Sequence, residues 1–176
     1  LFRSVGAGFD TTLTDGLRSA IRDVIGNASA PDERPLNMTG LARSLWPEGF
    51  HEPWRFVQGP ENHDIVYNGR ELRIARLGDP DHPRSWFARS RARVATGLSL
   101  TAPGIPMLFM GQEFLEDKQW SDDFESHRDL LLYWAGLDQG DRQMFDHLRF
   151  TRELLAMRRR LLGTDHADVA VTLVEL

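Results

Sequence analysis

The chain has 176 residues, of which 41% are hydrophobic and 27% are charged, and its formal net charge at pH 7 is -5. This composition is ordinary for one soluble globular domain. The acidic balance argues against a basic surface for nucleic acid or anionic lipid, and no apolar run approaches the roughly 20 residues that cross a bilayer. With no cysteine, the chain forms neither disulfides nor thiolate metal sites. We therefore expect a cytoplasmic protein without nucleic-acid or membrane partners.

The first predicted element is a helix. Asp15 can cap it and Gly26-Asn27 can end it, and a short helical stretch follows at residues 41–45. A strand is predicted over residues 54–58, where the breaker Gly59-Pro60 ends it. The apolar face of the first helix consists of Leu17, Ala20, Ile21, Val24 and Ile25.

The second half of the chain predicts a helix over residues 85–100, a strand and a third helix. The continuous apolar run 105–110 is typical of a parallel strand covered on both sides. Asp141 begins the third helix, with Phe145, Leu148 and Leu155 on one side. In the helix 85–100 we expect burial of Trp86, Phe87, Val94, Ala95 and Leu98. Its arginines, Arg84, Arg89, Arg91 and Arg93, are expected to form mainly a solvated face.

Strands and helices thus alternate, which favours an α/β fold of parallel βαβ units. A complete eight-stranded barrel takes about 250 residues, so this chain has room for about three units. At the ends, residues 1–4 contain neither an initiator Met nor a signal peptide, and residues 169–174 read as a strand that stops without a partner. We expect that both ends were cut from a longer chain.

The segment Glu61-Asn62-His63-Asp64 follows the strand predicted to end near Gln58. In a parallel α/β fold this is the carboxyl end of a strand, where active sites are built. An imidazole beside a carboxylate can perform acid–base chemistry, orient a ligand hydroxyl or bind a metal. The same residues can also form an Asx-type turn that caps the following segment. The spacing alone leaves both interpretations open.

A second cluster, Gly111-Gln112-Glu113-Phe114, follows the apolar run in the same manner. Glu113 could serve as a general acid or as a structural partner of a nearby arginine, and we favour the structural role. Sugar sites combine aromatic faces, which cover apolar sugar surfaces, with carboxylates, which accept hydroxyl hydrogen bonds. This mixture recurs at Trp120, Asp122, Asp123, Tyr133 and Trp134, although aromatic residues are also ordinary core residues.

The sequence contains no recognisable metal or cofactor motif. Its six histidines lack the His-x-x-x-His and His-Glu-x-x-His spacings. The segment Gly6-Ala7-Gly8 lacks the third glycine that a dinucleotide-binding loop needs. We expect neither a metal nor a cofactor.

Three stretches together resemble glycoside hydrolase family 13, the α-amylase superfamily. Gly8-Phe9-Asp10 with residues 15–18 looks like the sixth barrel strand and the start of its helix. Residues 56–64 are similar to the signature after the seventh strand, and residues 103–114 look like the eighth strand with its exit loop. The resemblance implies that residues 1–163 are the C-terminal part of a TIM (β/α)8 barrel, about strands six to eight with their helices. Residues 164–176 would begin an all-β C-terminal domain.

In that family Asp64 would be the carboxylate that stabilises the transition state, and His63 would hydrogen-bond the same sugar ring. Asn62, Glu113 and Trp120 would join the substrate-binding set. The retaining mechanism also needs a nucleophile and an acid/base carboxylate about 5 Å apart, which in the family follow the fourth and fifth strands. Since neither strand falls in this chain, we expect the isolated chain to be inactive. Open sheet edges would also make it unstable.

Within the family, residues 110–114, residues 120–122 and the helix 145–160 most resemble glycogen-type branching enzymes, which cleave an α-1,4 linkage and transfer the chain to a 6-hydroxyl. This implies an α-1,4-glucan substrate and, as partner, the missing N-terminal part of the barrel. Maltooligosyl trehalose trehalohydrolases share residues 8–10 and 104–111, and other α-amylase-type hydrolases are further alternatives. The chain departs from both groups at Leu13, where a Trp is common. An interpretation of another class is a non-catalytic glucan-binding remnant.

Overall fold

The computed structural model of the chain describes residues 10–32 and 34–163 as a mixed α/β structure. Short 3-10 turns lie at Pro53–Arg55, Gln112–Phe114 and Arg128–Leu130. Within the described part of the chain, every helix is too short or too polar to span a bilayer. The strands and helices, in chain order, are β1 (Thr12–Leu13), α1 (Gly16–Ser29), α2 (Met38–Ser44), β2 (Phe56–Gln58), α3 (Ile74–Gly78), α4 (Trp86–Thr101), β3 (Ile105–Pro106), α5 (Trp134–Asp138) and α6 (Arg142–Leu162).

The three strands form one parallel sheet in the order β1-β2-β3, with β2 in the centre. In the register of the sheet, Val57 is paired with both Leu13 and Ile105. The pairing continues beyond β3, because the Met107 N–H donates to the Gln58 carbonyl at 2.9 Å. Since the strands are parallel, the chain leaves β2 and β3 at the same edge of the sheet.

Two glycines permit the close approach of β2 and β3. A Cβ atom at Gly59 would collide with the backbone carbonyl of Met107, and one at Gly104 would collide with the Phe56 ring. Gly104 also has a φ of 97°, in the left-handed region that favours glycine. The packing of β2 against the β3 segment therefore depends, at both ends of β2, on a glycine that has no side chain.

The main core lies between the helices. The turn after β3 and α6 enclose a smaller cluster of Phe114, Met144 and Leu148. Burial of such apolar surface is the dominant favourable term in folding. The main core is formed by Leu17, Ile21, Ile25, Leu41, Ile74, Ala75, Ala92, Ala95, Ala102 and Leu115.

The predicted alternation of strands and helices is confirmed, but several predicted boundaries are wrong. Helix α1 continues through Gly26-Asn27 to Ser29, where it packs against α3. The strand predicted over residues 54–58 begins only at Phe56, because the preceding residues form a 3-10 turn. The apolar run 105–110 forms a strand only over its first two residues.

Helix α6 begins as predicted, since the Asp141 carboxylate accepts hydrogen bonds from the backbone N–H groups of Gln143 and Met144. Phe145 is nevertheless exposed while Leu148 is buried, so the predicted face is wrong at Phe145. The predicted C-terminal strand and the residues Gly8-Phe9 lie outside the described residues.

The predicted buried face of α4 is wrong in its large residues. Trp86, Phe87 and Val94 are exposed, and the buried positions are mostly small residues such as Ala88 and Ala92. Helix α4 contacts both α3 and α6. Because protein interiors are closely packed, small side chains on those faces allow the three helices to approach one another.

The prediction that the arginines of this region are solvated is wrong for Arg84 and Arg91. Arg84 donates to the Leu115 carbonyl at 2.7 Å. Arg91 donates to the carbonyls of Ala28 and Gly78 at the ends of α1 and α3. The last carbonyls of a helix have no partner inside it, and here an arginine from another helix supplies the donors.

Candidate functional site

The chain leaves β2 with two side chains turned inward and two turned outward. Glu61 and Asn62 are 1% and 5% exposed, whereas the side chains of His63 and Asp64 are 65% and 70% exposed. The Asn62 side chain accepts a hydrogen bond from the Ile65 N–H at 3.0 Å. This is the Asx-type turn that the sequence allowed. The turn leaves the imidazole and the carboxylate that follow it facing solvent.

His63 and Asp64 form the exposed pair of this loop, which we call the exit of β2. The Nε2 atom of His63 lies 3.6 Å from the Oδ1 atom of Asp64. An exposed carboxylate can accept hydrogen bonds from ligand hydroxyls or stabilise a developing positive charge, and a neighbouring imidazole can donate or accept a proton. The pair can therefore contact a ligand that approaches the carboxyl edge of the sheet.

Glu61 is held by a buried ion pair. Its Oε2 atom accepts from the Nε atom of Arg73 at 2.7 Å, and its Oε1 atom accepts from the Ile74 N–H at 2.5 Å. Arg73 is fully buried and Glu61 nearly so. Both carboxylate oxygens thus have a donor, which a buried charge requires.

Arg73 also reaches the loop that follows β3, which we call the exit of β3. Its Nη2 atom donates to the Met110 carbonyl at 3.0 Å, and its Nη1 atom lies 3.5 Å from the Lys118 carbonyl. The guanidinium carbon lies 5.2 Å from the centre of the Phe109 ring. One buried side chain therefore connects the two exit loops.

Arg22 of α1 binds the segment that immediately precedes Arg73. Its Nη2 atom donates to the Leu72 carbonyl at 2.6 Å, and its Nε atom donates to Glu71 at 2.6 Å. Leu72 immediately precedes Arg73. The segment that supplies Arg73 is consequently fixed to a helix of the main core.

Trp120 lies beside the exposed pair. Its indole N–H donates to the His63 carbonyl at 2.7 Å. The rings of Tyr67, Phe109 and His63 lie around it in edge-on arrangements, with centroid distances of 5.5, 6.1 and 6.4 Å. The backbone of Trp120 also pairs with that of Val66 and Asn68. Trp120 therefore supports the exit of β2 in addition to any contact with a ligand.

Glu113 lies inside the exit of β3 and is 7% exposed. Burial raises the pKa of its carboxyl above the ordinary value. The backbone N–H groups of Glu113 and Gly111 and the charge of Arg73 oppose this increase in pKa, whereas the charge of Glu61 adds to it. The structure thus brings Glu113 close to the buried pair and away from solvent.

A small cavity of about 10 Å³ lies beneath both exits. Among its lining residues are Glu61, Gln112 and His147. Burial, together with the charges of Arg93 and Arg84, lowers the pKa of His147 to about 4. This histidine is consequently neutral at physiological pH.

Sequence reasoning did not identify Arg73, Tyr67 or Glu116 as part of this region. Glu116 is buried, and its carboxylate accepts from the backbone N–H groups of Asp117, Lys118 and Tyr133. The one signal for Arg73 was its position between the apolar residues Leu72 and Ile74. In the described part of the chain, no group of three or more His, Cys, Asp or Glu residues could hold a metal ion.

Several curated proteins similar to the chain are named 1,4-alpha-glucan branching enzyme. The chain is 34% identical over 92 residues to the 1,4-alpha-glucan branching enzyme GlgB of Rhizobium meliloti. It is 33% identical over 99 residues to the enzyme of the same name from Chlamydia muridarum, and 37% identical over 65 residues to that of Paramagnetospirillum magneticum. No family model matches the chain.

These similarities cover part of each protein. The first two stretches include 52% and 56% of the chain but 12% of each relative. The matched stretch thus spans about an eighth of the length of the curated relatives.

Proposed function

We propose that the chain is the C-terminal part of the catalytic barrel of a family 13 α-glucan-active retaining enzyme, most like a 1,4-α-glucan branching enzyme. Residues 1–163 would supply the last strands and helices of the barrel, and residues 164–176 would begin an all-β domain. The complete enzyme would cleave an α-1,4 linkage and transfer the released chain to a 6-hydroxyl. The observation that carries the proposal is that several relatives are named for this activity.

The geometry at the carboxyl edge of the sheet supports the same proposal. Strands β1 and β3 each pair only with β2 among the described residues, so the outer edges of both could accept further parallel strands. Asp64 and His63 are exposed where such a barrel would bind its substrate. An oxocarbenium-like transition state develops positive charge, which an exposed carboxylate can stabilise.

We assign roles accordingly. Asp64 stabilises the transition state, and His63 hydrogen-bonds the sugar ring in the same subsite. Asn62, Glu113 and Trp120 complete the substrate-binding set. Because Asn62 and Glu113 are buried, their contribution comes through the loops that they hold. The nucleophile and the acid/base carboxylate come from the part of the barrel that precedes this chain.

The test uses the full-length parent protein with amylose as substrate. We expect new α-1,6 linkages, measured by the chains that a debranching enzyme releases from the product. Asp64→Asn should lower kcat by at least about 100-fold, the scale seen when one group that stabilises a transition state is removed. Asp81→Asn, which alters an exposed carboxylate in the loop before α4, is the matched control and should leave kcat unchanged.

Other products would replace the proposal by one of its alternatives. Trehalose released from maltooligosyl trehalose would identify a trehalohydrolase. Reducing ends without branch points would identify an amylase-type hydrolase. Glucan binding without any product would indicate a non-catalytic remnant.

The isolated 176-residue chain provides a second test. If the proposal is correct, the chain alone neither cleaves nor transfers glucan, because it lacks two of the three carboxylates. Measurable turnover of amylose by the purified chain would contradict this part of the proposal.

A further inference from the structure

We propose that Glu61 and Arg73 form a positioning pair, which fixes the exposed His63-Asp64 relative to the exit loop of β3. This inference rests on the proposed function, because it assigns the pair a role in the same site. Neither side chain is exposed enough to contact a substrate. Their effect on the reaction is therefore indirect.

The contacts of the pair form a closed ring. Arg73 binds Glu61, and two peptide bonds connect Glu61 to His63 through Asn62. The His63 carbonyl accepts from the indole of Trp120. Two residues before Trp120, the Lys118 carbonyl faces the Nη1 atom of Arg73 at 3.5 Å. The backbone of His63 is thus held from both sides by segments that Arg73 contacts.

The chemistry of the guanidinium group suits this role. It is planar and carries five N–H donors in a fixed arrangement. In Arg73, Nε faces Glu61 while Nη1 and Nη2 face carbonyls of the other exit, at Lys118 and Met110. The plane of the guanidinium group fixes the directions of its N–H groups. The position of the exit of β2 therefore determines that of the exit of β3. A lysine nitrogen is a single point and cannot span these acceptors.

Stability alone does not explain a buried pair of this kind. Removing two charges from water costs free energy, and apolar residues of similar volume are often equally stabilising. What an apolar pair cannot supply is the directional contact between the two exits. Replacing the pair should therefore change the position of His63-Asp64 more than the stability of the fold, and the two properties can be measured independently.

The experiment uses three variants of the full-length parent: Arg73→Lys, Arg73→Met and the double variant Glu61→Gln/Arg73→Met. All assays are made at a temperature at which circular dichroism shows each variant to be folded. The double variant leaves no unpaired charge at the positions of Glu61 and Arg73, so its Tm should stay within a few degrees of wild type. Its kcat should fall by roughly 10- to 100-fold with little change in KM, because a displacement of about 1 Å can cost 100-fold.

The conservative variant distinguishes position from charge. Arg73→Lys keeps a cation beside Glu61 but loses the span between the loops. A positioning role predicts that kcat remains low in Arg73→Lys. Recovery of wild-type kcat in this variant would overturn the proposal in favour of simple charge compensation.

The matched control is Arg158→Met. Arg158 is also buried and donates to three backbone carbonyls, those of Leu100, Ala102 and Gly104, on the other side of β3. Its removal should lower Tm but leave kcat within about twofold, since the three carbonyls that it binds precede β3 and do not belong to the exit loops. Equal losses of kcat in Arg158→Met and the double variant would mean that activity follows stability, and would reject the positioning role.

Amide hydrogen exchange gives a readout that is independent of activity. Exchange at Ile65 and Val66, whose N–H groups bond to Asn62, should accelerate in all three variants and not in Arg158→Met. Unchanged exchange there would overturn the positioning pair and leave the proposed function intact. A wild-type parent inactive on every glucan, with accelerated exchange in the variants, would reject the proposed function instead.

Discussion

The two exit loops at the carboxyl edge of the sheet differ in the polar side chains that they expose. After β2, the imidazole of His63 and the carboxylate of Asp64 face solvent. After β3, Gln112, Glu113 and Glu116 are all buried. In the exit of β3 a carboxylate stabilises the loop itself, since Glu116 accepts hydrogen bonds from three backbone N–H groups.

This difference separates carboxylates that are open to a ligand from carboxylates that support the loops. A carboxylate that already accepts two or three backbone hydrogen bonds has little capacity left for a ligand hydroxyl. An exposed carboxylate beside a titratable ring keeps that capacity. In this molecule the supporting groups are buried beneath the exposed pair His63-Asp64, and the substitutions that follow each alter one part of that arrangement.

The largest effect is expected for Glu61→Met. The substitution leaves the Arg73 guanidinium buried without its anion and the Ile74 N–H without its acceptor. Breaking a buried pair from one side costs about 3–5 kcal/mol of unfolding free energy, which urea unfolding measures. The control is Glu153→Met, whose partner Arg149 lies 3.8 Å away on the surface of α6; we expect no measurable change there. Similar losses in the two variants would show that the buried pair is not special.

The next effect is a pH dependence from His147, which lies under both exits. Below pH 6.5 the unfolded chain binds a proton at this residue, whereas the folded protein does not do so until about pH 4. Stability should therefore fall as the pH decreases through this range and level off below it. The interval corresponds to about 3 kcal/mol.

Comparison with His147→Gln isolates this contribution. Burial raises the pKa of Glu113, so ionisation of Glu113 at higher pH acts against the folded state and its effect has the opposite sign. Because Glu113 is present in both proteins, the difference between their urea midpoints at each pH reports His147. Parallel curves for wild type and His147→Gln between pH 4 and 6.5 would contradict the prediction.

The comparison of exits also shows what the sequence could predict. Glycine and proline at 59–60 located the end of β2, because they interrupt regular pairing. The sequence could not decide between a turn and a site for residues 61–64, and the structure contains both a turn and an exposed pair. Residue type alone did not reveal which members of one tetrapeptide face inward.

Most of the contacts that the sequence did not predict are made by three arginines. Arg73, Arg84 and Arg91 donate to the carbonyls of Met110, Leu115 and Ala28, which lie in segments distant in sequence. Buried carbonyls require donors, but their locations follow from the packing of helices and are not encoded in local spacing. The same limit applies to α4, where contacts with two neighbouring helices and not hydrophobicity determined the buried face.

A moderate effect is expected at Gly59, which lies against the backbone of Met107 just after β3. In Gly59→Ala the new Cβ atom meets the backbone carbonyl of Met107, which cannot move without displacing β3. Overpacking of this kind costs about 1–3 kcal/mol, measured as a lower urea midpoint. Gly16→Ala is the control, since a Cβ atom there has no neighbour within 4 Å and alanine favours a helix. A Gly59→Ala protein as stable as Gly16→Ala would mean that the exits can separate at no cost.

The smallest effect is expected for Asn62→Ala, which removes the turn and leaves the buried pair. The lost hydrogen bond to the Ile65 N–H corresponds to about 1 kcal/mol. Asn27→Ala, which removes an exposed hydrogen bond to Asp23 within α1, should cost less and serves as control. Since Glu61 and Trp120 would still hold the loop, exchange should accelerate at Ile65 more than at Ile74. Equal acceleration at both amides would show that the turn and the buried pair open together, so that the support beneath His63-Asp64 is one cooperative unit.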